Sequence, residues 1–322
     1  MKPMLLLTAS LILLLSLAVW ILLDLFPDKQ EPEPNRFDYG MENLRTTDTV
    51  PAYTEIPPVN IAVAEPRALA ADKRGKFAVA GNGGVEIFTP SGRRLIRFSI
   101  PWQAWCITWL ENGNLAIGME DHLDIWNPAG ILVERREPPD SGSLITAVAE
   151  AGDLLYLAEA GSKVVWQYDG KGVLLGRIGE KDPARKIPGF VIPSPCFDLG
   201  ISPAGDLWVV NPGRHQFEQY TPSGELKSTW GEASMTTEGF TGCCNPTHFA
   251  FLPDGSFITG EKGVERVKLY HPDGTFRCLV ATPADFDEGT RGLDVAAGME
   301  GRILVLDPSR KQVRVFLPNE TP

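Results

Sequence analysis

The feature that most constrains this chain is a glycine-centred turn that recurs six times. Its glycines are spaced by 38, 39, 53, 50 and 46 residues and are Gly75, Gly113, Gly152, Gly205, Gly255 and Gly301. A second turn follows each of the first five at a near-constant distance, as at residues 89–92 and 271–274. Short β-type runs such as residues 76–80 and 84–88 lie between the paired turns. Strand-rich units of about 40–50 residues with two turn signals each are typical of β-propeller blades.

Six such units predict an all-β, six-bladed propeller over residues 59–318. The last unit, residues 291–317, shows only three strands. Residues 59–64 precede the first unit and have no other assignment. We predict that they supply the outer strand of the last blade and close the ring, because closure removes the unpaired edges that an open sheet exposes.

The repeat units resemble those of propellers built from Asn-His-Leu (NHL) repeats. The segments that carry the resemblance are residues 246–250, 253–255, 266–267 and 272–274 in one unit, and residues 211–215 and 222–224 in the unit before it. The resemblance extends over roughly residues 59–318 and implies the six-bladed fold. Members of this family include protein-binding scaffolds and lyases or hydrolases with a metal on the propeller axis, so the resemblance specifies the fold and not the function.

An apolar run near the N-terminus predicts a membrane anchor. Residues 4–23 carry no charge, and at about 1.5 Å per residue such a helix spans a bilayer core of about 30 Å. The run is longer than the core of a cleaved signal peptide, and no small-x-small site follows it. We therefore interpret residues 1–27 as an uncleaved transmembrane signal anchor. Lys2 before the run and acidic residues after it place the propeller outside the cytoplasm, in the periplasm of a Gram-negative cell.

Composition limits the rest of the chain and its partners. Residues 28–58 are rich in proline and charge and are predicted to be a linker. The whole chain of 322 residues is 43% hydrophobic, enough for a large core. Its net charge is −11 and no stretch concentrates Lys and Arg, so nucleic acid is not an expected partner.

Two long loops indicate where a binding site lies. In a propeller the loops between blades open on the face where the inner strands begin, which we call the channel-mouth face. Residues 181–195 lead into blade 4 and residues 233–246 lead into blade 5, which accounts for the two widest spacings. Long loops on a rigid scaffold commonly carry binding sites, although tolerated insertions have the same pattern.

A ring of six residues is expected around the channel mouth. The positions seven residues before the turn glycines are Ala68, Cys106, Ile145, Asp198, His248 and Asp294. Thiolate and imidazole together suit zinc or copper, whereas carboxylates alone suit calcium or magnesium. The candidate metal ligands are Cys106, Asp198, Cys243, Cys244 and His248. The alternative is that polar groups at a wet channel mouth bind only water.

The five cysteines leave several pairings open. An odd count in an oxidising compartment leaves at least one thiol free or bound. Cys196 precedes the ring residue of blade 4, so a disulfide with Cys243 or Cys244 would pin both long loops. The other interpretations are a redox or metal site that uses the remaining thiol with His248, a disulfide between the two neighbours, or free buried thiols.

Recognition at the channel mouth is the function that these patterns favour. His248 and Asp198 at the ring, with Arg214 and His215 on a loop of the same face, are the predicted ligand-binding residues. The sequence thus predicts a membrane-tethered propeller that binds a partner protein or ligand on this face. The alternative is a metal-dependent lyase or hydrolase, or a redox accessory protein, with its site at the axis.

Overall fold

The computed structural model of this protein describes residues 15–17, 52–137 and 142–319. Residues 15–17 are helical. Within these described ranges, no helix has the length and apolar character needed to cross a bilayer. The predicted anchor over residues 1–27, apart from that short helical piece, and most of the predicted linker lie outside the described residues.

Residues 52–137 and 142–319 form six antiparallel sheets of four strands each, which confirms the six-bladed propeller. Blade 1 comprises β2 (Ala64–Ala71), β3 (Phe77–Asn82), β4 (Gly84–Phe88) and β5 (Arg94–Phe98). Blade 2 comprises β6 (Cys106–Trp109), β7 (Leu115–Gly118), β8 (Leu123–Trp126) and β9 (Leu132–Arg136). Blade 3 comprises β10 (Ile145–Ala151), β11 (Leu154–Glu159), β12 (Val164–Asp169) and β13 (Leu174–Ile178).

The other three blades repeat the same order, with one change at the ring closure. Blade 4 comprises β14 (Leu199–Ile201), β15 (Leu207–Asn211), β16 (Gln216–Tyr220) and β17 (Leu226–Trp230). Blade 5 comprises β18 (His248–Phe251), β19 (Phe257–Gly260), β20 (Val267–Tyr270) and β21 (Phe276–Ala281). Blade 6 comprises β22 (Asp294–Ala297), β23 (Ile303–Asp307), β24 (Gln312–Pro318) and, outermost, β1 (Tyr53–Asn60). Three short 3-10 helices lie at Pro212–Arg214, Pro283–Asp285 and Met299–Gly301.

The ring closes as the sequence predicts, but with an earlier segment. The outer strand of blade 6 is β1, which pairs antiparallel with β24 from Tyr53 to Asn60. Of the predicted residues 59–64, only Val59 and Asn60 belong to it, and Ala64 begins β2. Residues 53–58, which proline and charge content placed in the predicted linker, are part of this strand. Proline is tolerated on an edge strand, and the register shifts between Ile56 and Val59 around Pro57 and Pro58.

The six turn glycines that define the repeat all adopt a left-handed backbone conformation. All six have φ between 57° and 86°, the left-handed region that glycine enters without steric cost. They connect each inner strand to the next strand of its blade. The inner strands therefore begin at similar distances before their turns, and these beginnings define the channel-mouth face.

An aromatic cluster between blades 4 and 5 fixes the second long loop. Phe240, from that loop, is buried against Phe217 and Tyr270, with ring centroids 6.1 and 5.5 Å away. Trp230 stacks on Phe217 at 4.4 Å and belongs to the same cluster. Aromatic pairs at these distances add to the stability that burial provides, so the loop that carries Cys243 and Cys244 has a rigid base.

Candidate functional site

Five of the six predicted ring residues occupy equivalent positions on the inner strands. Cys106, Ile145, His248 and Asp294 each begin an inner strand, and Asp198 directly precedes one. His248 pairs with Gly260 and Asp294 with Leu306, twelve positions further on in each case. Ala68 pairs with Ala80 at the same spacing. Cys106 pairs with Gly118 and Asp198 accepts a hydrogen bond from Val210, again twelve positions on. Ile145 differs, because it pairs with Glu159, fourteen positions on, beside a register shift. Five of the six predicted ring positions are therefore equivalent, including the one in blade 6.

The two ring carboxylates join neighbouring blades. Asp198 accepts a hydrogen bond from the backbone N–H of the next residue and, through its other oxygen, from Phe249 of blade 5, both at 2.8 Å. Asp294 accepts hydrogen bonds from the backbone N–H of Val295 at 2.8 Å and from that of Leu69 in blade 1 at 2.7 Å. Both carboxylates thus connect inner strands across blade boundaries. This structural role is one that the sequence analysis did not assign to them.

His248 lies between these two carboxylates. Its Nδ1 is 3.7 Å from Asp198 Oδ2 and 3.7 Å from Asp294 Oδ1. Burial opposes protonation of the ring, but the charges of Asp294 and Asp198 outweigh it and raise the pKa of His248 to about 9. Burial also raises the pKa of Asp294 to about 6, against the effect of His248. At neutral pH the group at the axis is an imidazolium, which suits anion binding or proton donation and not general-base catalysis.

We expect one histidine signal to titrate near pH 9 in an NMR experiment, against about 6.5 for an ordinary histidine. The signal should be absent from His248→Gln, which assigns it. In Asp294→Asn its pKa should fall, because one of the two charges that stabilise the imidazolium is gone. A wild-type protein in which every histidine titrates below pH 7.5 or so would contradict this electrostatic account.

The same shift makes stability depend on pH. Because the folded pKa lies above the unfolded one, the contribution of His248 is fully present below about pH 6.5 and is lost as the pH rises through 9. At about 1.4 kcal/mol per pKa unit, the loss is at most about 3.5 kcal/mol. The urea midpoint should therefore fall more steeply over this range in the wild type than in His248→Gln.

A cation stacked on an aromatic ring also lies at the channel mouth, and the sequence analysis missed it. The Arg67 guanidinium is 3.9 Å from the centroid of the Trp105 ring, and both side chains are half-buried. Arg67 makes no hydrogen bond or ion pair within residues 52–137 and 142–319. Burial lowers the pKa of Arg67, against the opposing effects of Glu65 and Cys196. Each residue of the stacked pair directly precedes a ring position, which is the signal that could have identified it.

A lysine and three cysteines lie close together where the two long loops approach each other. The Lys262 ammonium donates hydrogen bonds to Ser194 Oγ at 2.8 Å and to Cys196 Sγ at 3.6 Å. Ser194 in turn donates to Cys244 Sγ at 3.2 Å. Burial opposes ionisation of Cys244, but Lys262 and these hydrogen bonds outweigh it and lower its pKa. Cys243 Sγ lies 3.1 Å from Cys244 Sγ and is exposed.

The structure does not contain the predicted disulfide of Cys196 with Cys243 or Cys244, since all five cysteines are free thiols. Cys196 contacts Lys262 instead. Cys106, predicted as a metal ligand, is buried in the apolar cluster between blades 2 and 3, and its Sγ lies 4.0 Å from the Ile145 carbonyl. Burial raises the pKa of Cys106, so this thiol stays protonated at neutral pH.

Asn245 holds the cysteine loop in place, and His215 assists it. The buried Asn245 amide donates to the Thr241 and Lys262 carbonyls at 2.7 and 2.9 Å and accepts the Lys262 N–H at 3.0 Å. His215 is buried with its Nδ1 3.1 Å from the Asn245 carbonyl oxygen. His215 therefore contacts the protein itself, whereas Arg214, the other predicted ligand-binding residue of this turn, is exposed.

The predicted metal ligands do not form one cluster. Asp198 and His248 are neighbours, but Cys106 faces the core and Cys243 and Cys244 lie with Lys262 in the loop region. Across the part of the chain that the structure describes, no three His, Cys, Asp or Glu side chains are arranged to hold a metal ion. The protein geometry therefore gives the predicted zinc or copper site no support.

Comparisons with known proteins bear on the fold. No family model matches this chain, and no curated protein matches its sequence. A streptogramin B lyase structure matches with a TM-score of 0.56 at 10% identity, covering 83% of this chain and 98% of the lyase. A catalytically inactive histidine-to-alanine variant of virginiamycin B lyase from Staphylococcus aureus, with quinupristin, matches with a TM-score of 0.56 at 12% identity, covering 84% of this chain and 87% of that one.

A protein of unknown function from Bacteroides thetaiotaomicron is also similar, with a TM-score of 0.58 at 13% identity over 84% of this chain and 74% of its own length. Identities this low relate the folds and not the activities. The NHL-repeat resemblance stays a prediction at the level of the family. The chain is a six-bladed β-propeller with distant structural neighbours among the virginiamycin B lyases.

Proposed function

We propose that this protein binds a ligand at the channel-mouth face of its propeller, and that the ligand presents a carboxylate or phosphate group to Arg67. The observation that carries this proposal is the half-buried Arg67 guanidinium stacked on Trp105 without a hydrogen-bond acceptor in the described residues. A partly desolvated guanidinium whose donors have no hydrogen-bond acceptor is costly, and a bound oxyanion relieves that cost. Stacking on an aromatic face leaves the planar donor fork of arginine free for such a group.

Charged groups near Arg67 support the proposal that an anionic ligand binds there. His248 adds an imidazolium at the axis, and Lys262 adds an ammonium beside Cys196. Cys196 influences the pKa of both Arg67 and His248, which indicates that these three groups share one electrostatic environment.

The alternative of a metal-dependent lyase or hydrolase has less support. Its candidate ligands do not converge, and both ring carboxylates are engaged by backbone N–H groups. The neighbouring lyases share the fold at 10–12% identity, which does not carry an activity over to this chain. Binding is therefore the function that this geometry favours.

Inorganic phosphate is a suitable first probe, tested by thermal unfolding at constant ionic strength with chloride as the reference anion. We expect saturating phosphate to raise the melting temperature by about 2–4 °C, because a ligand that binds only the folded state stabilises it. Arg67→Met should abolish most of this shift, since methionine retains the apolar stem but not the charge.

The matched control is Arg177→Met. Arg177 also stacks on a tryptophan, with its Cζ 4.4 Å from the Trp166 ring centroid, but it lies on the outer strand of blade 3. This variant should keep the phosphate shift of the wild type. An equal phosphate shift in wild type and Arg67→Met, or no shift in wild type even with carboxylate anions such as citrate, would overturn the proposal.

A further inference from the structure

We propose that Cys243 and Cys244 form a reversible dithiol–disulfide pair, in which the Cys244 sulfur, hydrogen-bonded by Ser194 next to Lys262, closes a bond to the exposed sulfur of Cys243. This thiol site lies at the junction of the two long loops. It goes beyond the oxyanion site at Arg67 and does not depend on it.

The geometry of the two sulfurs carries the proposal. Their Sγ atoms are 3.1 Å apart, and a disulfide bond of about 2.05 Å needs only about a further 1 Å of approach. The two side chains thus already point at each other, although neighbouring residues are free to direct their side chains apart. No other pair of thiols in residues 52–137 and 142–319 shows a sulfur–sulfur contact.

The two thiols have complementary surroundings. Cys243 is exposed and open to a reagent from solvent, whereas Cys244 is only 1% exposed. Cys244 accepts a hydrogen bond from Ser194, and the nearby Lys262 ammonium lowers its pKa, so both groups stabilise a thiolate. Asn245 fixes the backbone of Lys262 through two hydrogen bonds, so the ammonium is held where the thiolate needs it. The arrangement supplies an accessible attacking sulfur and a protected resolving sulfur.

The oxidant that we assign is a small-molecule disulfide. The Cys243 sulfur attacks one sulfur of the reagent, the sulfur–sulfur bond of the reagent breaks, and the leaving thiolate takes up the proton that Cys243 releases. Cys244 then attacks the Cys243 sulfur and expels the second thiolate, which takes up the Cys244 proton. Two protein thiols are oxidised by loss of two electrons and two protons, and one reagent disulfide is reduced to two thiols.

A disulfide between adjacent cysteines suits a reversible regulatory role better than a structural one. Neighbouring Cα atoms are about 3.8 Å apart, below the roughly 4.4–6.8 Å of ordinary disulfides. The resulting strain makes the bond easier to reduce, as in labile or regulatory disulfides. Both cysteines lie in the loop that borders the channel mouth.

The test incubates the full chain in glutathione buffers of increasing oxidised fraction, followed by acid quenching, alkylation and mass spectrometry. Oxidised protein should lose two hydrogens and two alkylatable thiols, both mapping to the peptide that contains Cys243 and Cys244. Cys244→Ser should instead accumulate a glutathione adduct on Cys243, and Cys243→Ser should form neither product. Lys262→Met should slow disulfide closure roughly tenfold, because the resolving thiolate loses its cation.

Cys278→Ser and Lys227→Met are the controls, since Cys278 lies on outer strand β21 and Lys227 on outer strand β17. Both should oxidise as the wild type does. Loss of the disulfide in Cys196→Ser would assign the bond to Cys196 and overturn the proposal. So would five alkylatable thiols in wild type at the most oxidising ratio. Thermal unfolding of each variant shows whether it is folded, and alanine versions of the same positions replace any serine variant that is not.

Discussion

Removal of residues 1–60 is expected to destabilise the whole propeller, whereas removal of residues 1–51 is expected to leave it intact. The longer deletion takes away β1, the eight-residue outer strand of blade 6, and the shorter one retains it. The longer deletion also removes Glu55, whose carboxylate accepts two hydrogen bonds from the Arg314 guanidinium. Arg314 is 2% exposed, and a buried cation that loses its partner costs about 3–5 kcal/mol.

Urea unfolding followed by circular dichroism measures the difference, and sedimentation shows whether the exposed edge of β24 causes self-association. Glu55→Gln tests the ion pair alone and should cost about 1–3 kcal/mol. Its control is Asp206→Asn, which breaks the more exposed pair with Lys227 and should cost less than about 1 kcal/mol. Equal urea midpoints for the two truncations would show that the ring closes without β1.

Lys268→Met is expected to cost about 3–5 kcal/mol, a large effect for one substitution. Lys268 is fully buried on β20. Its ammonium donates to the Thr237 and Gly239 carbonyls at 3.0 and 2.7 Å and lies 2.5 Å from Glu261 Oε1. Burial lowers its pKa to about 8, against the effect of Glu261, so the group is still mostly charged at neutral pH. Methionine replaces the apolar stem of lysine but leaves two loop carbonyls and part of a buried carboxylate unsatisfied.

The effect should include local opening of the second long loop. Both carbonyls belong to residues 233–246, the loop that carries Cys243 and Cys244. Hydrogen exchange should therefore show faster exchange of loop amides in Lys268→Met than in wild type. Lys227→Met serves as the control, because that lysine is exposed on β17. If the two variants unfold at the same urea concentration, the buried ammonium does not anchor the loop.

The closure of the ring shows which features of the fold local sequence patterns can predict. The missing fourth strand of blade 6 predicted that an N-terminal segment completes it, and β1 does so. The boundary was wrong because Pro57 and Pro58 are linker-like in isolation. Their tolerance depends on β1 being an edge strand, and that is a property of the sheet and not of the segment.

At the channel mouth, too, the sequence predicted some features and only the tertiary structure decided others. The glycine spacing located Asp198, His248 and Asp294 at equivalent positions, and the structure confirms them. It did not show that each carboxylate bonds the N–H of another blade, because that depends on how adjacent sheets are rotated about the axis. The stacking of Arg67 on Trp105 was missed for the same reason, since the two residues belong to different blades.

By itself the sequence determined the number of blades, their turns and the positions of the ring, because hydrophobic alternation and glycine turns are local properties with a fixed period. It also drew attention to Cys243 and Cys244 as an unusual pair. Only the tertiary structure decided their partners. Lys262 reaches Cys244 and Cys196 from the loop after β19, and Lys268 holds the cysteine loop from inside blade 5. Such contacts depend on the paths of loops across blades and on side-chain direction, for which the chain carries no local pattern.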